Sequence, residues 1–228
     1  NKSVMDQLVK RIPISLKLAG FSMLLTILFG VGFGVLMAVR KDRLLDHVLG
    51  TFSTAALSVP GFWIAIVLIF LFAEQWKLLP SSGISGGSGF ILPAVTLALP
   101  SIGVCARLTR SAILDEIGRQ YMTVADAKGM SRRHAVVCHA FGNALIPIIT
   151  YLGNHMAGII GGASIVETIF AIPGIGSYAI AGVQSKDYYV VQAYVLFSGC
   201  IYVLTNILID LIYIALDPKI RAGEAVES

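Results

Sequence analysis

Long uncharged apolar runs dominate the chain, and short segments between them carry most of the charges. A helix needs roughly 20 apolar residues to cross the hydrocarbon core of a bilayer. The runs that reach or approach this length are Leu18–Val39, Val48–Ala73, Ile91–Ala106, Ala140–Val166 and Tyr188–Ile209, the last extending to Leu216. This pattern predicts an all-α, polytopic membrane protein, a single transmembrane domain over residues 1–228 with five spans. The predicted spans are 18–39, 48–73, 91–106, 140–166 and 188–216.

Composition supports a chain whose main solvent is lipid. Of the 228 residues, 56% are hydrophobic and only 13% are charged, which is too few charges to cover a soluble domain. The formal net charge of +4 marks membrane topology in so apolar a chain, and it does not favour nucleic acid as a partner. The three cysteines lack the spacing of a zinc site or a disulfide framework.

The distribution of basic residues assigns sides to the loops. Pro60-Gly61 predicts a kink in the second run, and the third run is short and contains two prolines, so its crossing needs a separate argument. If every run spans, 40–43, 107–133 and 219–221 share one side and hold 11 of the 17 Lys and Arg residues. Basic loops stay in the cytoplasm. We therefore expect Asn1 outside, Ser228 in the cytoplasm, and a sixth helix upstream in the full protein.

The segment 107–139 is longer than a simple connection. Ser111–Ile117 continues the preceding helix, and Tyr121–Gly129 has the pattern of a short helix that ends at a glycine. Ser131 is placed to cap a further helix. Two short helices that meet at a glycine form a knob for another protein, whereas the alternative is a merely solvated loop.

Four motifs carry a resemblance to a known family. Ala125-Asp-Ala-Lys-Gly129, followed by His139-Ala-Phe-Gly-Asn143-Ala-Leu-Ile-Pro147, resembles the cytoplasmic EAA loop of binding-protein-dependent ABC permeases. The further motifs are Glu167–Gly176, Asp187–Gln192 and Ala215–Arg221. Together they resemble the B-type permease of the dipeptide, oligopeptide and nickel importers. Departures from the family pattern occur at Thr123, Phe141-Gly142 and Tyr189.

The resemblance implies a fold, partners and a location. The expected fold is the transmembrane domain of a type I-like ABC importer in the inner membrane. The expected partners are a C-type permease subunit, two cytoplasmic ATPase subunits and an extracytoplasmic solute-binding protein. ATP and Mg would bind to the ATPase subunits, and no cofactor to this chain. The EAA loop would insert into the ATPase through Ala125, Ala127, Lys128, Gly129, Arg132 and Arg133.

The sequence predicts no catalytic residues and no metal site. It lacks a Walker phosphate loop, an H-E-x-x-H motif and a serine–histidine–aspartate set. The segment from Glu167 to Ile180 instead predicts a re-entrant hairpin or a short lid helix at the periplasmic mouth. Its candidate gate residues are Glu167, Phe170, Pro173, Gly174 and Gly176.

Within the spans, few residues suggest a substrate. His155 is a possible pathway residue, although a hydrogen-bonded histidine at a helix interface is the common alternative. Small residues four apart, such as Gly30 and Gly34, indicate helix packing or a translocation face. Asp210 lies near the end of the last span. Peptide and nickel, free or chelated, both remain open as substrates, and an ion-coupled secondary transporter is the alternative function.

Overall fold

The computed structural model describes residues 3–84, 87–119 and 140–216, and the secondary structure of these residues is helical. The elements before the 120–139 segment are α1 (Val4–Leu25), a π-helical turn (Thr26–Val31), α2 (Gly32–Val39), α3 (Leu44–Ser58), α4 (Gly61–Leu68), a second π-helical turn (Ile69–Gln75), a 3-10 turn (Gly87–Phe90) and α5 (Ile91–Ile117). The elements after it are α6 (Phe141–Gly162), α7 (Ser164–Ile169), α8 (Ile175–Gln184) and α9 (Tyr188–Leu216).

The first helix is longer than the sequence predicts. It runs without a break from Val4 to Val39, 36 residues, whereas the apolar run begins at Leu18. Residues before Leu18 form an amphipathic helix, in which Leu8 and Ser15 are buried while Lys10 is exposed. Such a helix buries one face without a continuous apolar run, so a prediction from apolar runs misses it.

The second predicted span is broken, as the Pro60-Gly61 pair predicts. α3 and the helix of Gly61–Gln75 meet at an angle of 103°. Val59, with φ −96° and ψ 127°, is extended, because the ring of a proline disfavours helical geometry in the residue before it. The prediction of a kink is therefore confirmed, and the bend is sharper than an ordinary proline kink.

One further boundary agrees with the prediction, and another differs from it. α5 continues past the predicted span end at Ala106 to Ile117, which confirms the predicted continuation over Ser111–Ile117, and it keeps Pro100 inside the helix. The predicted span 140–166 is divided at Ala163 into α6 and α7. α9 begins at the predicted residue, Tyr188, and is helical as far as Leu216, where the described residues end.

The membrane-crossing helices can be judged by length and composition. Among the described residues, three helices are long and apolar enough to cross a bilayer, namely Val4–Val39, Gly87–Ile117 and Tyr188–Ile212. The bent pair Leu44–Ser58 and Gly61–Gln75 is a fourth candidate. The chain is thus a multi-pass membrane protein, and the count of five spans stays a prediction.

Side-chain contacts define the two ends of the helical bundle. At one end, Arg110 of α5 binds Asp46 of α3, and Asn143 of α6 binds Glu116 of α5. We call the end of the bundle that contains these two contacts the basic end. At the opposite end, which we call the Glu167 end, Ser15 of α1 donates a hydrogen bond to Glu167 of α7. The segments 40–43 and 107–119 therefore lie at the same end, in agreement with their predicted grouping.

Small residues allow the central helices to approach closely. A Cβ atom at Gly30 would lie 2.7 Å from Cβ of Cys105, and one at Gly103 would lie 2.6 Å from the carbonyl oxygen of Ser53. A Cβ atom at Gly34 would collide with the side chain of Thr109. At Gly30 and Gly34 the small residues thus serve helix packing. α9 is different, because only 6% of its most apolar stretch is buried.

Candidate functional sites at the two ends of the bundle

A buried carboxylate organises the Glu167 end. Glu167 is 0% exposed. Its Oε1 accepts a 2.5 Å hydrogen bond from the hydroxyl of Ser15, and its Oε2 accepts a 2.9 Å bond from the backbone N–H of Ser177. Ser15 Oγ in turn accepts the N–H of Ile175 at 2.9 Å. Ser15 and Glu167 are far apart in the sequence, yet both accept hydrogen bonds from backbone N–H groups in the first turn of α8.

This arrangement is a helix cap supplied by other helices. The first N–H groups of a helix have no partner within it and carry the positive end of its dipole. Gly174, the residue at the N-cap position of α8, has no side chain to satisfy them, and Ser15 and Glu167 do so instead. Burial raises the pKa of the Glu167 carboxyl, while the bonds from Ser15 and α8 and the charge of Arg11 oppose that shift.

The turn between α7 and α8 is closely packed. Phe170 is 1% exposed, and its carbonyl oxygen accepts a 2.8 Å hydrogen bond from the N–H of Gly83. A Cβ atom at Gly174 would collide with the Glu167 carboxyl group, and one at Gly176 with Ser164. Pro173 is exposed at the rim. The predicted gate residues thus lie together in one compact turn, followed by the short helix that was one of the two predicted forms.

A second contact links α1 to α8. The guanidinium carbon of Arg11 lies 4.6 Å from the centroid of the Tyr178 ring, within the range of a cation–π interaction. Arg11 and Ser15 are one helical turn apart, so the same face of α1 binds α8 at two points. Sequence reasoning missed Arg11 and Ser15, since neither residue lies within a motif.

An ion pair fixes the basic end. Arg110 Nε and Nη2 bind the two carboxylate oxygens of Asp46 at 2.7 and 2.8 Å, and the Asp46 side chain is only 5% exposed. Beside the pair lies a groove of about 520 Å³ whose polar lining includes His47, Thr51, Thr54 and Arg107. The sequence analysis did not identify this pair. The only signal was that both residues flank predicted spans on the same side.

The predicted coupling residues, from Ala125 to Arg133, lie outside the described residues. The helices on either side of that segment are joined at its base. Asn143 Nδ2 donates a 3.3 Å hydrogen bond to Glu116, and Arg119 forms a 3.0 Å ion pair with the same carboxylate. Asn143 belongs to the motif that resembles the EAA loop. The two ends of the segment are therefore held close together.

His155 is packed against an aromatic ring. Its imidazole stacks on Tyr151 with centroids 5.7 Å apart and the planes at 3°, and Tyr151 donates a hydrogen bond to the carbonyl oxygen of Ser101. Nε2 of His155 is buried, and no group in the described part of the chain bonds to it. Asp210 is exposed. Across the described ranges, no three His, Cys, Asp or Glu residues form a group that could hold a metal ion.

The helical fold is shared with subunits of solved ABC transporters. The structure resembles a subunit of the MetNI methionine ABC transporter, with a TM-score of 0.78 and 17% identity over 95% of this chain and 99% of the other. An amino acid ABC transporter gives a TM-score of 0.73 at 18% identity, covering 91% of this chain and 93% of that chain.

The chain belongs to the family of binding-protein-dependent transport system inner membrane components, which it matches over residues 30–222. It is 39% identical over 226 residues, 96% of this chain and 72% of the relative, to a probable peptide ABC transporter permease of Sinorhizobium fredii. A dipeptide transport system permease of Bacillus subtilis is 35% identical over 96% of this chain and 71% of its own length. The predicted family, the inner-membrane location and the role of a non-catalytic permease subunit are thereby confirmed.

Proposed function

We propose that this permease subunit forms half of the translocation pathway of an ATP-driven importer for small peptides. The observation that carries the proposal is the similarity, at 34–39% identity, to permeases named for peptides, dipeptides and D,D-dipeptides. A bare nickel ion would need several nitrogen, oxygen or sulfur ligands. The described residues offer no such group, so peptide is the better-supported substrate. Membership of a binding-protein-dependent family argues against an ion-coupled secondary transporter.

The proposed complex contains four further subunits. They are a C-type permease, two cytoplasmic ATPase subunits that bind ATP and Mg, and a solute-binding protein outside the membrane. This chain binds no cofactor in the proposal. The basic end faces the cytoplasm, together with Ser228, because basic loops are retained on that side.

The segment 107–139 transmits the movement of the ATPase in this proposal. Its residues Ala125, Ala127, Lys128, Gly129, Arg132 and Arg133 form the contact. Support comes from the base of the segment, where Glu116 joins α5 to Asn143 of α6. A displacement of the segment would therefore act on two long helices at once.

The turn from Glu167 to Gly176 forms part of the outer gate in this proposal. Its hydrogen bonds tie α8 to α1 through Ser15 and to α7 through Glu167. A tight turn of this kind moves as one body, so α8 would open or close the mouth together with the helices that bind it. His155 lies farther along α6 and at most adjusts passage of the substrate.

Uptake by the reconstituted complex tests the proposed function. The permease pair, its ATPase subunits and the binding protein are placed in liposomes, with radiolabelled dipeptide or nickel outside and ATP within. We expect uptake of dipeptide that requires both ATP hydrolysis and the binding protein. Uptake of nickel alone would overturn the peptide assignment. Uptake driven by an ion gradient without ATP would overturn the importer mechanism.

A further inference from the structure

A groove runs along the outside of the bundle where α2 ends and α3 begins. It measures about 490 Å³ and is lined by Arg40, Arg43, Leu44, Leu45, Val48 and Leu49. Its charged part is contributed by the two arginines at the loop, and its apolar part by one face of α3. The groove is distinct from the polar one beside Asp46, which lies along the opposite face of α3.

The two arginines present their positive charges at the surface of the bundle. Arg40 and Arg43 are both exposed, and among the described residues neither forms an ion pair. The nearby carboxylate of Asp46 is engaged by Arg110. Asp42, which lies between the arginines in sequence, does not line the groove. The charged end of the groove is therefore cationic.

The apolar part of the groove is unusually exposed. Leu44 is 79% exposed and Val48 is 57% exposed, and both lie next to the basic loop that ends the first long helix. Exposed side chains of this size are costly in water but not beside acyl chains. Cationic groups followed at once by exposed aliphatic groups match the junction between headgroup and acyl chain of a phospholipid.

We propose that this groove binds an anionic phospholipid. The phosphate binds between Arg40 and Arg43, and an acyl chain lies along Leu44 and Val48. Lysine and arginine residues close to a membrane surface each add to the attraction for anionic lipids, whereas the acyl contact alone does not distinguish between headgroups. The groove is thus expected to select phosphatidylglycerol over phosphatidylcholine. The inference is independent of the transported substrate.

Native mass spectrometry of the assembled transporter tests the site. The complex is exchanged into detergent with equal amounts of phosphatidylglycerol and phosphatidylcholine, and retained lipid is counted. We expect the double variant Arg40→Gln/Arg43→Gln to lose about thirtyfold in affinity for phosphatidylglycerol, since two basic groups are removed. The control is Lys77→Gln/Lys186→Gln, which removes the same amount of charge at the Glu167 end. This variant should retain as much phosphatidylglycerol as the wild type.

Further variants separate charge from folding. Arg40→Lys/Arg43→Lys should keep most of the preference, because the positive charges remain. Leu44→Ser/Val48→Ser should weaken the binding of both lipids without changing the preference. Equal retention of phosphatidylglycerol by the wild type and the Gln variant, or wild-type retention without preference between the lipids, would overturn the proposal. If a second protein subunit covers the groove, the free permease binds the lipid and the complex does not, and this result would also overturn it.

Discussion

Ser15 donates a 2.5 Å hydrogen bond to Glu167 across 152 positions of sequence, and the same hydroxyl accepts the N–H of Ile175. One serine thus joins three helices at the end of the bundle where the gate is proposed. A hydroxyl can do this because it is both donor and acceptor. Alanine at this position would leave the Ile175 N–H without its side-chain acceptor and would remove one of the hydrogen bonds to the Glu167 carboxyl.

The first prediction concerns the hydrogen bond between Ser15 and Glu167. Ser15→Ala should lower the free energy of unfolding in detergent by about 2 kcal/mol, because buried polar groups lose their partner. In a double-mutant cycle with Glu167→Gln, the two changes should couple by about 1 kcal/mol. Ser185→Ala is the control, since that hydroxyl bonds only within its own helix. Additive effects of the two changes would contradict the proposed cap.

The second prediction uses two glycines of different surroundings. Gly174→Ala should destabilise the protein by about 2 kcal/mol, because the new methyl group meets the Glu167 carboxyl and forces the turn apart. Gly158→Ala is matched in chemistry, but outside the neighbouring backbone of its own helix no atom lies within 4 Å of the new methyl group. It should fold and transport normally. Thermal unfolding and uptake measure both variants, and equal loss in the two would argue against tight packing of the turn.

The third prediction is a dependence on pH. Because burial raises the pKa of Glu167, the folded protein keeps a proton that the unfolded chain has already released in the range above the ordinary carboxyl pKa. Stability should therefore fall as the pH rises through that range and level off above the raised pKa. Glu167→Gln should remove this part of the dependence. Identical profiles of melting temperature against pH for the two proteins would rule out the effect.

The fourth prediction concerns the basic end. Asp46→Asn or Arg110→Gln should each cost about 2 kcal/mol of stability, since each leaves one charge unpaired, and Asp46 is buried. The double variant should cost less than the sum of the two. Arg119→Gln provides the comparison, because the Arg119 side chain is 65% exposed and such pairs contribute about 1 kcal/mol or less. If the double variant loses as much stability as the two single variants together, the two residues act independently.

The fifth prediction addresses coupling to the ATPase. Gly129→Pro should abolish transport while membrane insertion is kept, because proline prevents the sharp turn that the motif requires. Ala125→Trp should do the same by added volume, whereas Ala125→Ser should be tolerated. ATPase activity stimulated by the loaded binding protein is the readout. Normal stimulation in the proline and tryptophan variants would remove the segment from the docking role.

The sequence predicted most of the helices and the compact turn, because both depend on local properties. Apolar runs identified the start of α9 to the residue, and Pro60-Gly61 identified the break. The helical segment before Leu18 was missed because only one of its faces is buried, so the segment contains no continuous apolar run. The partnership of Ser15 with Glu167 was also missed, since nothing local connects residues so far apart in sequence. The charge distribution grouped Asp46 and Arg110 on one side but gave no reason to pair them.

The π-helical turn at Thr26–Val31 constrains how this chain can change over time. On one side of the turn, Ser15 faces α7 and α8. On the other, Gly34 faces Thr109 of α5. Each residue rotates a helix by about 100°, so the loss or gain of a single residue in the turn would rotate one contact surface away from its partner. Natural variants should therefore differ in length elsewhere, and substitutions rather than insertions should account for the variation in this helix.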